Sequence, residues 1–449
     1  MTATRFDLSG LKVGMISLGC NKNRVDSEIA LGLMKDAGCE FTGDAAEADI
    51  LMVNTCGFIA PAKEESIEAI LEMARYKEEG RCRLLVVTGC LAQRYEKDLL
   101  QEIPEIDLLL GVNQYEKLPE MAADVLKNQL RKSACEDDLT FFEHDRVLTT
   151  PPYTAYIRTG EGCSNRCTFC AIPLIRGGYR SRPEKDILTE IETLAAQGVK
   201  EFILVAQDTT RFGTDWQEHT ALPELMQKAA AIPGVEWLRV LYCYPDETDE
   251  RLLDVIAQTP NVCKYLDLPI QHISDPVLKR MHRRGTSADI RRCITQARQR
   301  GLTLRTSIIV GFPGETEEQF EELLEFLKEA QFDRLGAFAY SPEEDTPAAR
   351  LPDQIPEEIK QQRLDRLMSL QAEISLERNQ ARVGQVEKVL VTAIGEDGTM
   401  LGRSHREAPE TDGEILFTLP QGASVPEIGS FVSVRLTQAD TYDLMGEML

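Results

Sequence analysis

Runs of apolar residues alternate with helical patterns over the first part of the chain. Three of these runs, 12–20, 48–56 and 83–90, are predicted to be buried strands, and each ends in a cysteine. Helical periodicity follows each run, for example over residues 63–76. Since strand and helix alternate in this way in parallel sheets, residues 11–126 are predicted to form an open α/β domain. The three cysteines would then lie together at the carboxyl ends of neighbouring strands, the edge where such sheets bind ligands.

A second alternating region follows a polar stretch, residues 127–152, which is predicted to be a linker. Helical segments at 184–197 and 316–330 lie between strands of this region. The six predicted strands are 154–159, 201–206, 237–242, 265–270, 304–310 and 334–340. Six strand–helix units predict a partial (β/α)6 barrel of the TIM type over residues 149–379, with its chemistry at the carboxyl ends of the strands.

The pattern changes after a predicted helix at 358–379. From residue 382 to 449, apolar and polar residues alternate with a period of two, as in 386–391 and 431–436, and Gly and Pro turns separate the runs. This pattern predicts a small antiparallel β-barrel at the end of the chain.

The candidate chemistry centres on Cys163, Cys167 and Cys170, spaced as Cys-x-x-x-Cys-x-x-Cys in one short loop. Three thiolates can hold three irons of a 4Fe-4S cubane, which usually takes four, so one iron would remain open for a ligand. A zinc site and chance are the alternatives. Zinc needs a fourth ligand, and the nearest histidines, His144 and His219, are far from the loop in sequence.

Cys20, Cys56 and Cys90 form a second group of three. A single cysteine at a strand end is usually a small buried hydrophobe. Three at equivalent strand ends, each with a glycine nearby, instead indicate a second cluster site, again with one open iron.

Composition bounds the class of protein. The chain has 449 residues, 43% of them hydrophobic, and twelve cysteines, and it begins without a signal-peptide pattern. No apolar stretch is long enough to span a bilayer, so we expect a cytoplasmic enzyme without a membrane partner. The net charge is −24, and residues 382–449 hold five basic and eleven acidic residues, a net −6. This acidity favours a basic partner and argues against RNA binding by the terminal barrel.

The loop spacing, with Phe169 before Cys170, resembles the S-adenosylmethionine (SAM) radical enzymes. The two cysteine triads in this order, followed by a barrel that resembles a TRAM domain, are similar to the methylthiotransferase family along almost the whole chain. Within that family, segments 17–28 and 268–275 resemble the branch that modifies a ribosomal protein. The chain lacks the Gln-Met-Asn and Gln-Ser-Gly-Ser sequences typical of the tRNA-modifying branch.

The resemblance implies two 4Fe-4S clusters and SAM as cofactors, and an external electron donor. The loop cluster would cleave SAM to a radical that removes hydrogen from the β-carbon of an aspartate. The second cluster would deliver a methylthio group. The implied substrate is the twelfth small-subunit ribosomal protein, free or in the ribosome.

SAM contacts are predicted at Gly311, Phe312, Pro313 and Gln207, and no catalytic residue beyond the cluster ligands is predicted. A tRNA adenosine methylthiotransferase and a non-enzymatic iron–sulfur module are the alternatives. The first would favour a basic barrel, and the second would need four thiolates for each cluster.

Overall fold

Short strands rich in Val, Ile and Leu alternate with amphipathic helices along most of the chain. The computed structural model describes residues 8–136 and 142–449. The strands, in chain order, are β1 (Lys12–Ser17), β2 (Glu40–Phe41), β3 (Ile50–Thr55), β4 (Leu84–Gly89), β5 (Leu108–Leu110), β6 (Lys132–Ala134), β7 (Thr154–Arg158), β8 (Gly160–Glu161), β9 (Arg180–Ser181), β10 (Glu201–Val205), β11 (Trp237–Val240), β12 (Tyr265–Asp267), β13 (Thr303–Val310), β14 (Arg334–Ala339), β15 (Val386–Ile394), β16 (Met400–Arg403), β17 (Ile415–Thr418), β18 (Phe431–Ala439) and β19 (Leu444–Met448).

The helices fall between these strands, as the alternation predicts. They are α1 (Asn21–Asp36), α2 (Ala60–Glu79), α3 (Cys90–Arg94), α4 (Glu96–Glu102), α5 (Leu118–Asn128), α6 (Ile172–Arg176), α7 (Glu184–Ala196), α8 (Leu222–Ala230), α9 (Glu250–Gln258), α10 (Asp275–Arg280), α11 (Ser287–Gln299), α12 (Glu317–Ala330) and α13 (Glu357–Gln380). Within the described ranges, no helix combines the length and the apolar character needed to cross a membrane.

The chain divides into two compact units whose boundaries do not follow its order. Unit 1 draws on Met1–Pro151, Glu161–Arg182 and Ser341–Ala349, and unit 2 on Pro152–Gly160, Pro183–Tyr340 and Arg350–Leu449. The cysteine loop therefore belongs with the N-terminal sheet, and the terminal barrel belongs with the central strands.

Unit 1 contains a six-stranded parallel sheet in the order β2-β1-β3-β4-β5-β6. The three predicted strands are confirmed as β1, β3 and β4, which are direct neighbours. Every residue of β3 and β4 is buried, as expected for central strands covered on both faces. The helix predicted at 63–76 is longer and spans all of α2.

The predicted linker 127–152 is only partly irregular. Its residues 132–134 form β6, which pairs in parallel with β5. This short polar strand needs no hydrophobic pattern, since backbone hydrogen bonds to β5 hold it at the edge of the sheet. Further along, the backbone oxygen of Asp145 lies so close to Gly32 of α1 that a Cβ there would be 1.9 Å away. Residues 137–141 of the predicted linker lie outside the described residues.

Unit 2 contains the six predicted strands of the partial barrel, confirmed as β7 and β10 to β14. They form two parallel three-stranded sheets, β11-β10-β7 and β12-β13-β14. The helix predicted at 316–330 is α12, and Thr316 and Gln319 form the capping box at its start. The α/β class of this region is therefore confirmed.

The last five strands close into a barrel in the order β15-β16-β17-β19-β18. Its core is apolar, as the alternation predicts, and includes Val389, Phe417, Val434 and Leu444. One pairing differs from an all-antiparallel barrel, since β17 and β19 run parallel. The strand between them in sequence, β18, runs in the opposite direction and pairs with the other edge of β19, so the directions of β17 and β19 agree.

A buried ion-pair cluster joins the terminal barrel to the central strands within unit 2. Glu201 of β10 is fully buried and binds Arg403 of β16 at 2.7 Å and Arg239 of β11 at 3.4 Å. Burial alone would raise the pKa of Glu201, but the two guanidinium groups hold it below its usual value. Glu201 is therefore a charged side chain in the interior of unit 2.

Replacing Glu201 by Gln should destabilise unit 2 by about 3–5 kcal/mol, because it removes the carboxylate that faces two buried guanidinium groups. The control is Glu236→Gln, which breaks a 2.9 Å pair with Lys388 whose side chains are about half exposed. That change should cost only about 0.2–1 kcal/mol. Denaturant unfolding followed by circular dichroism measures both, and equal midpoints for the two variants would contradict the buried role of Glu201.

Candidate functional site

The first triad lies at the carboxyl edge of the unit 1 sheet. Cys56 and Cys90 directly follow β3 and β4, and Cys20 lies three residues after the end of β1; the three strands are adjacent in the sheet. The segments are in close contact. A Cβ on Gly19 would lie 3.1 Å from the Sγ of Cys56, and a Cβ on Gly57 would lie 3.0 Å from the carbonyl carbon of Cys90. The structure therefore brings the three predicted cysteines together.

Glycine is required where β4 turns into the triad. Gly89 precedes Cys90 with a φ of +97°, a conformation that other residues rarely adopt. A Cβ there would lie 2.3 Å from Oδ1 of Asn54 and 2.5 Å from the backbone oxygen of Thr55. Any larger residue would push apart the segments that carry Cys56 and Cys90.

Asn23, in the first turn of α1, holds the segments of Cys20 and Cys56 together. Its amide donates to the backbone oxygens of Leu18, at 2.7 Å, and Thr55, at 3.3 Å. Asn54 returns a hydrogen bond to the backbone oxygen of Asn23 at 2.7 Å. These hydrogen bonds from buried side-chain amides fix the spacing between the ends of β1 and β3.

Arg176, at the end of α6, approaches the third cysteine. It is 1% exposed, and both Nε and Nη2 lie 3.4 Å from the Sγ of Cys90. The same guanidinium binds Asp26 of α1 at 2.8 Å and Glu161 at 3.0 Å. A cation is therefore held against one thiol of the triad by two buried carboxylates.

The electrostatics of the triad follow from burial and from this cation. Burial raises the pKa of the Cys90 thiol to about 12, while Arg176 acts in the opposite direction. Burial likewise raises the pKa of Cys56, opposed by the backbone N–H of Phe58 and by Arg176. Metal binding requires thiolates, so the positive charge of Arg176 favours the form that a metal or cluster ligand would need.

The second triad occupies the loop of unit 1 between β8 and α6. Cys163 and Cys167 are buried and Cys170 is partly exposed. The backbone N–H of Cys163 donates to Gly177 and that of Cys170 to Cys167, both at 3.0 Å. The loop is thus tied to its own start and to the residues that follow it.

Gly162 allows this loop to close. Its φ is +76°, and a Cβ there would lie 2.2 Å from the backbone oxygen of Gly178 and 2.7 Å from that of Gly177. The close approach of these backbones places Cys163 beside the end of the loop. Only a residue without a side chain fits.

The two triads adjoin one another inside unit 1. Ala171, the residue after Cys170, packs with Ile175 and Val112 against Cys90 in a small buried cluster. The segment 341–349 contacts both α2, which follows Cys56 in the chain, and the cysteine loop. Glu343 binds Lys63 of α2 at 2.9 Å, near the first triad, and the backbone N–H of Ala348 donates to Thr168 in the cysteine loop at 2.9 Å.

The donor set fits iron–sulfur clusters better than a single ion. Across residues 8–136 and 142–449, no three His, Cys, Asp or Glu side chains converge on one metal-ion position. A cubane does not require the thiolates to converge on one ion, because each thiolate binds a different iron. Three thiols at each site, one site with a buried cation beside it, suit an anionic cluster with one open iron.

The predicted SAM residues lie in unit 2. Gly311, Phe312 and Pro313 form a buried turn after β13, in which Phe312 packs edge-to-face on Tyr340 at 5.2 Å. Gly311 has a φ of +71°, and a Cβ there would lie 2.4 Å from Lys360 of α13. Gln207 is half-buried after β10, at the end of a different strand. Gly311, Phe312 and Pro313 are all buried, and their contacts with SAM stay a prediction.

Sequence reasoning missed Arg176, Asp26 and Glu343 as parts of the site. Asp26 stands in segment 17–28, which resembles one family branch, but nothing in that segment indicates an ion pair. Arg176 and Glu343 carry no local signal, because their partners are distant in sequence. Asp26 lies 150 residues from Arg176, and Lys63 lies 280 residues from Glu343.

Comparisons with known proteins identify the domains of the chain. Residues 157–327 match the model of the Radical SAM superfamily, residues 12–111 that of the Uncharacterized protein family UPF0004, and residues 383–449 that of the TRAM domain. In solved structures, the radical SAM methyltransferase TsrM from Kitasatospora setae, with cobalamin and a [4Fe-4S] cluster bound, has a TM-score of 0.56. It shares 15% identity and covers 76% of this chain and 74% of its own, so it supports the fold alone.

Curated relatives match nearly end to end. A ribosomal protein uS12 methylthiotransferase RimO from Desulforamulus reducens is 50% identical, over 97% of this chain and 99% of its own. Proteins of the same name from Clostridium botulinum (49%; 97% and 98%) and Geobacter sulfurreducens (47%; 98% and 98%) are similar.

Fold and matched domains together define a radical SAM enzyme of the methylthiotransferase class, which transfers a sulfur group. Within that class the identity to full-length relatives is decisive. The chain belongs to the RimO family of ribosomal protein uS12 methylthiotransferases.

Gly162→Ala should prevent iron binding by the cysteine loop, because the added Cβ collides with two backbone oxygens. Gly10→Ala is the matched control. Gly10 has nearly the same φ, +77°, but no atom within 4 Å of its Cβ position, so it carries only the strain of about 1–2 kcal/mol. Iron and sulfide analysis after anaerobic reconstitution measures the effect, and full iron content in the Gly162 variant would contradict it.

Proposed function

We propose that this protein adds a methylthio group to the β-carbon of an aspartate in small-subunit ribosomal protein uS12, using two 4Fe-4S clusters and two molecules of SAM. The observation that carries the proposal is that unit 1 holds two adjoining sets of three cysteines. The substrate is taken from relatives that bear the name uS12 methylthiotransferase over nearly their full length.

Cys163, Cys167 and Cys170 would hold the cluster that binds SAM, with Gly311 to Pro313 and Gln207 as SAM contacts. Cys20, Cys56 and Cys90 would hold the second cluster. When bound, these cofactors supply radical and sulfur chemistry that protein side chains lack, since an aspartate β-carbon carries no proton acidic enough to be removed at neutral pH.

The chain's own residues hold and shield the two sites. Cys90, Cys163 and Cys167 are each 6–7% exposed, so water has little access to their sulfurs. Cys20 is exposed and Cys170 is partly exposed, which leaves each triad open on one side for a ligand. Asn23 and Arg176 keep the cysteines of the first triad at a fixed spacing without being cluster ligands themselves.

The charges of the terminal barrel favour a basic protein as the partner. Arg382 and Arg403 are buried in ion pairs with Glu387, Glu407 and Glu201, so they do not reach the surface. The exposed charged residues of the barrel are two bases and six acids, namely Lys388, Arg435, Glu396, Asp397, Glu410, Glu427, Asp440 and Glu447. Such a surface attracts a basic ribosomal protein and repels RNA phosphates.

The proposed reaction also needs a reducing electron donor. It would take place in the cytoplasm, where thiols stay reduced.

Replacing Cys163, Cys167 and Cys170 by Ala should abolish SAM cleavage and lower the iron content by about half, because one of two three-thiolate sites is lost. Replacing Cys20, Cys56 and Cys90 by Ala should leave slow SAM cleavage but no methylthio product. The assay is anaerobic incubation with SAM, reductant and uS12, followed by mass spectrometry of the modified aspartate.

Cys82→Ala is the control for these variants, because Cys82 is buried in the core of unit 1 and lies outside both triads. It should retain both iron and product. Unchanged iron content in either triple variant would refute the assignment, and a product on tRNA adenosine without labelled aspartate would favour the tRNA-modifying branch.

Neutralising four exposed acids of the barrel, Glu396, Asp397, Asp440 and Glu447, should weaken uS12 binding roughly tenfold. Exposed charge contacts contribute about 0.2–1 kcal/mol each, so four of them amount to about that factor. The salt dependence of binding should flatten as well, because less surface attraction remains to be screened. Titration of labelled uS12 at two salt concentrations measures both effects.

The control carries the same change in net charge on α2, by Gln at Glu68, Glu72, Glu78 and Glu79, all exposed. Binding of uS12 to this control should match the parent. Equal loss in both variants would show a general charge effect and would remove the barrel as the docking surface.

A further inference from the structure

We propose that Arg176 is a positioning residue that couples the two cysteine triads. Its guanidinium, carried on the helix that follows the cysteine loop, fixes the Cys90 ligand of the other triad and places a positive charge beside it. The inference rests on the proposed cluster site at Cys20, Cys56 and Cys90.

Arg176 links the two sites, because it is close to the cysteine loop along the chain and close to Cys90 in space. Arg176 follows Cys170 by one short helix, α6, whose Ala171 and Ile175 pack against Cys90. Its guanidinium continues that contact with two donors directed at the Cys90 sulfur. A shift of the cysteine loop would therefore move the charge beside the other triad.

The guanidinium has a fixed orientation because Nη1 and Nη2 also bind other acceptors. Nη1 donates to Glu161, and Nη2 donates to Asp26 and to Oδ1 of Asn23 at 3.3 Å. Asn23 in turn holds the backbone beside Cys20 and Cys56. All three cysteine segments of the first triad are thus joined, directly or through one residue, to Arg176.

Arginine is suited to this role and lysine is not equivalent. The planar guanidinium offers five donors in a rigid fork, whereas an ammonium is a compact point charge on a flexible stem. A positive charge and hydrogen bonds at a ligating sulfur stabilise the more negative, reduced state of a cluster, so they raise its reduction potential.

The test measures the midpoint potential of the second cluster in full-length protein that carries Cys163, Cys167 and Cys170→Ala, so that one cluster remains. Arg176→Gln should keep its iron but lower the equilibrium constant for one-electron reduction about tenfold, a shift of about 59 mV to lower potential. Potentiometric titration followed by electron paramagnetic resonance gives the value. Arg176→Lys, which keeps the charge, should recover most of the potential while its g-values differ from those of the parent.

Arg146→Gln is the matched control, since the Arg146 side chain is buried in unit 1 and pairs with Glu28 on the same helix as Asp26. Its midpoint should equal the parent value. A parent potential in Arg176→Gln with iron retained would overturn the role of Arg176. If Arg176→Gln holds no iron, Arg176→Lys decides, and a spectrum identical to the parent would overturn the role. Absence of iron in the parent triple variant would instead refute the proposed cluster site and, with it, the basis of this inference.

Discussion

The close approach of three strand ends in unit 1 is the constraint on which the site depends. Parallel pairing of β1, β3 and β4 brings Cys20, Cys56 and Cys90 to one edge of the sheet. The backbones there touch, so glycine is the only residue that fits beside each cysteine. Three thiols just beyond the strand ends can then face one region, and a rigid sheet, more than a flexible loop, sets their spacing.

Unit 1 is completed by pieces of chain from distant parts of the sequence. Residues 161–182 bring the second triad, and residues 341–349 bring Glu343 to α2 and Ala348 to the cysteine loop. Both triads therefore belong to one compact unit, and their separation is set by packing inside that unit. This matters for the proposed reaction, in which groups formed at two sites would have to meet.

Buried charge has two different uses in the molecule. In unit 2, Glu201 and Glu407 pair with arginines and fasten the terminal barrel, and this removes Arg382 and Arg403 from its surface. Acids consequently make up a larger share of the exposed charged residues of the barrel than of all charged residues in 382–449. In unit 1, Arg176 is held by two carboxylates but also faces the Cys90 thiol, so its charge acts on a side chain of the candidate site.

Local signals in the sequence determined the strands, the two cysteine triads, the α/β class and the alternating terminal barrel. These features depend on periodicity and on ligand spacing, which a few neighbouring residues reveal. The polar strand β6, the parallel pairing of β17 with β19, and the contacts of Arg176 and Glu343 were decided only by the tertiary structure. Each depends on partners far away along the chain, such as Asp26 for Arg176, and a charged residue with a distant partner looks the same in sequence as one on a solvated surface.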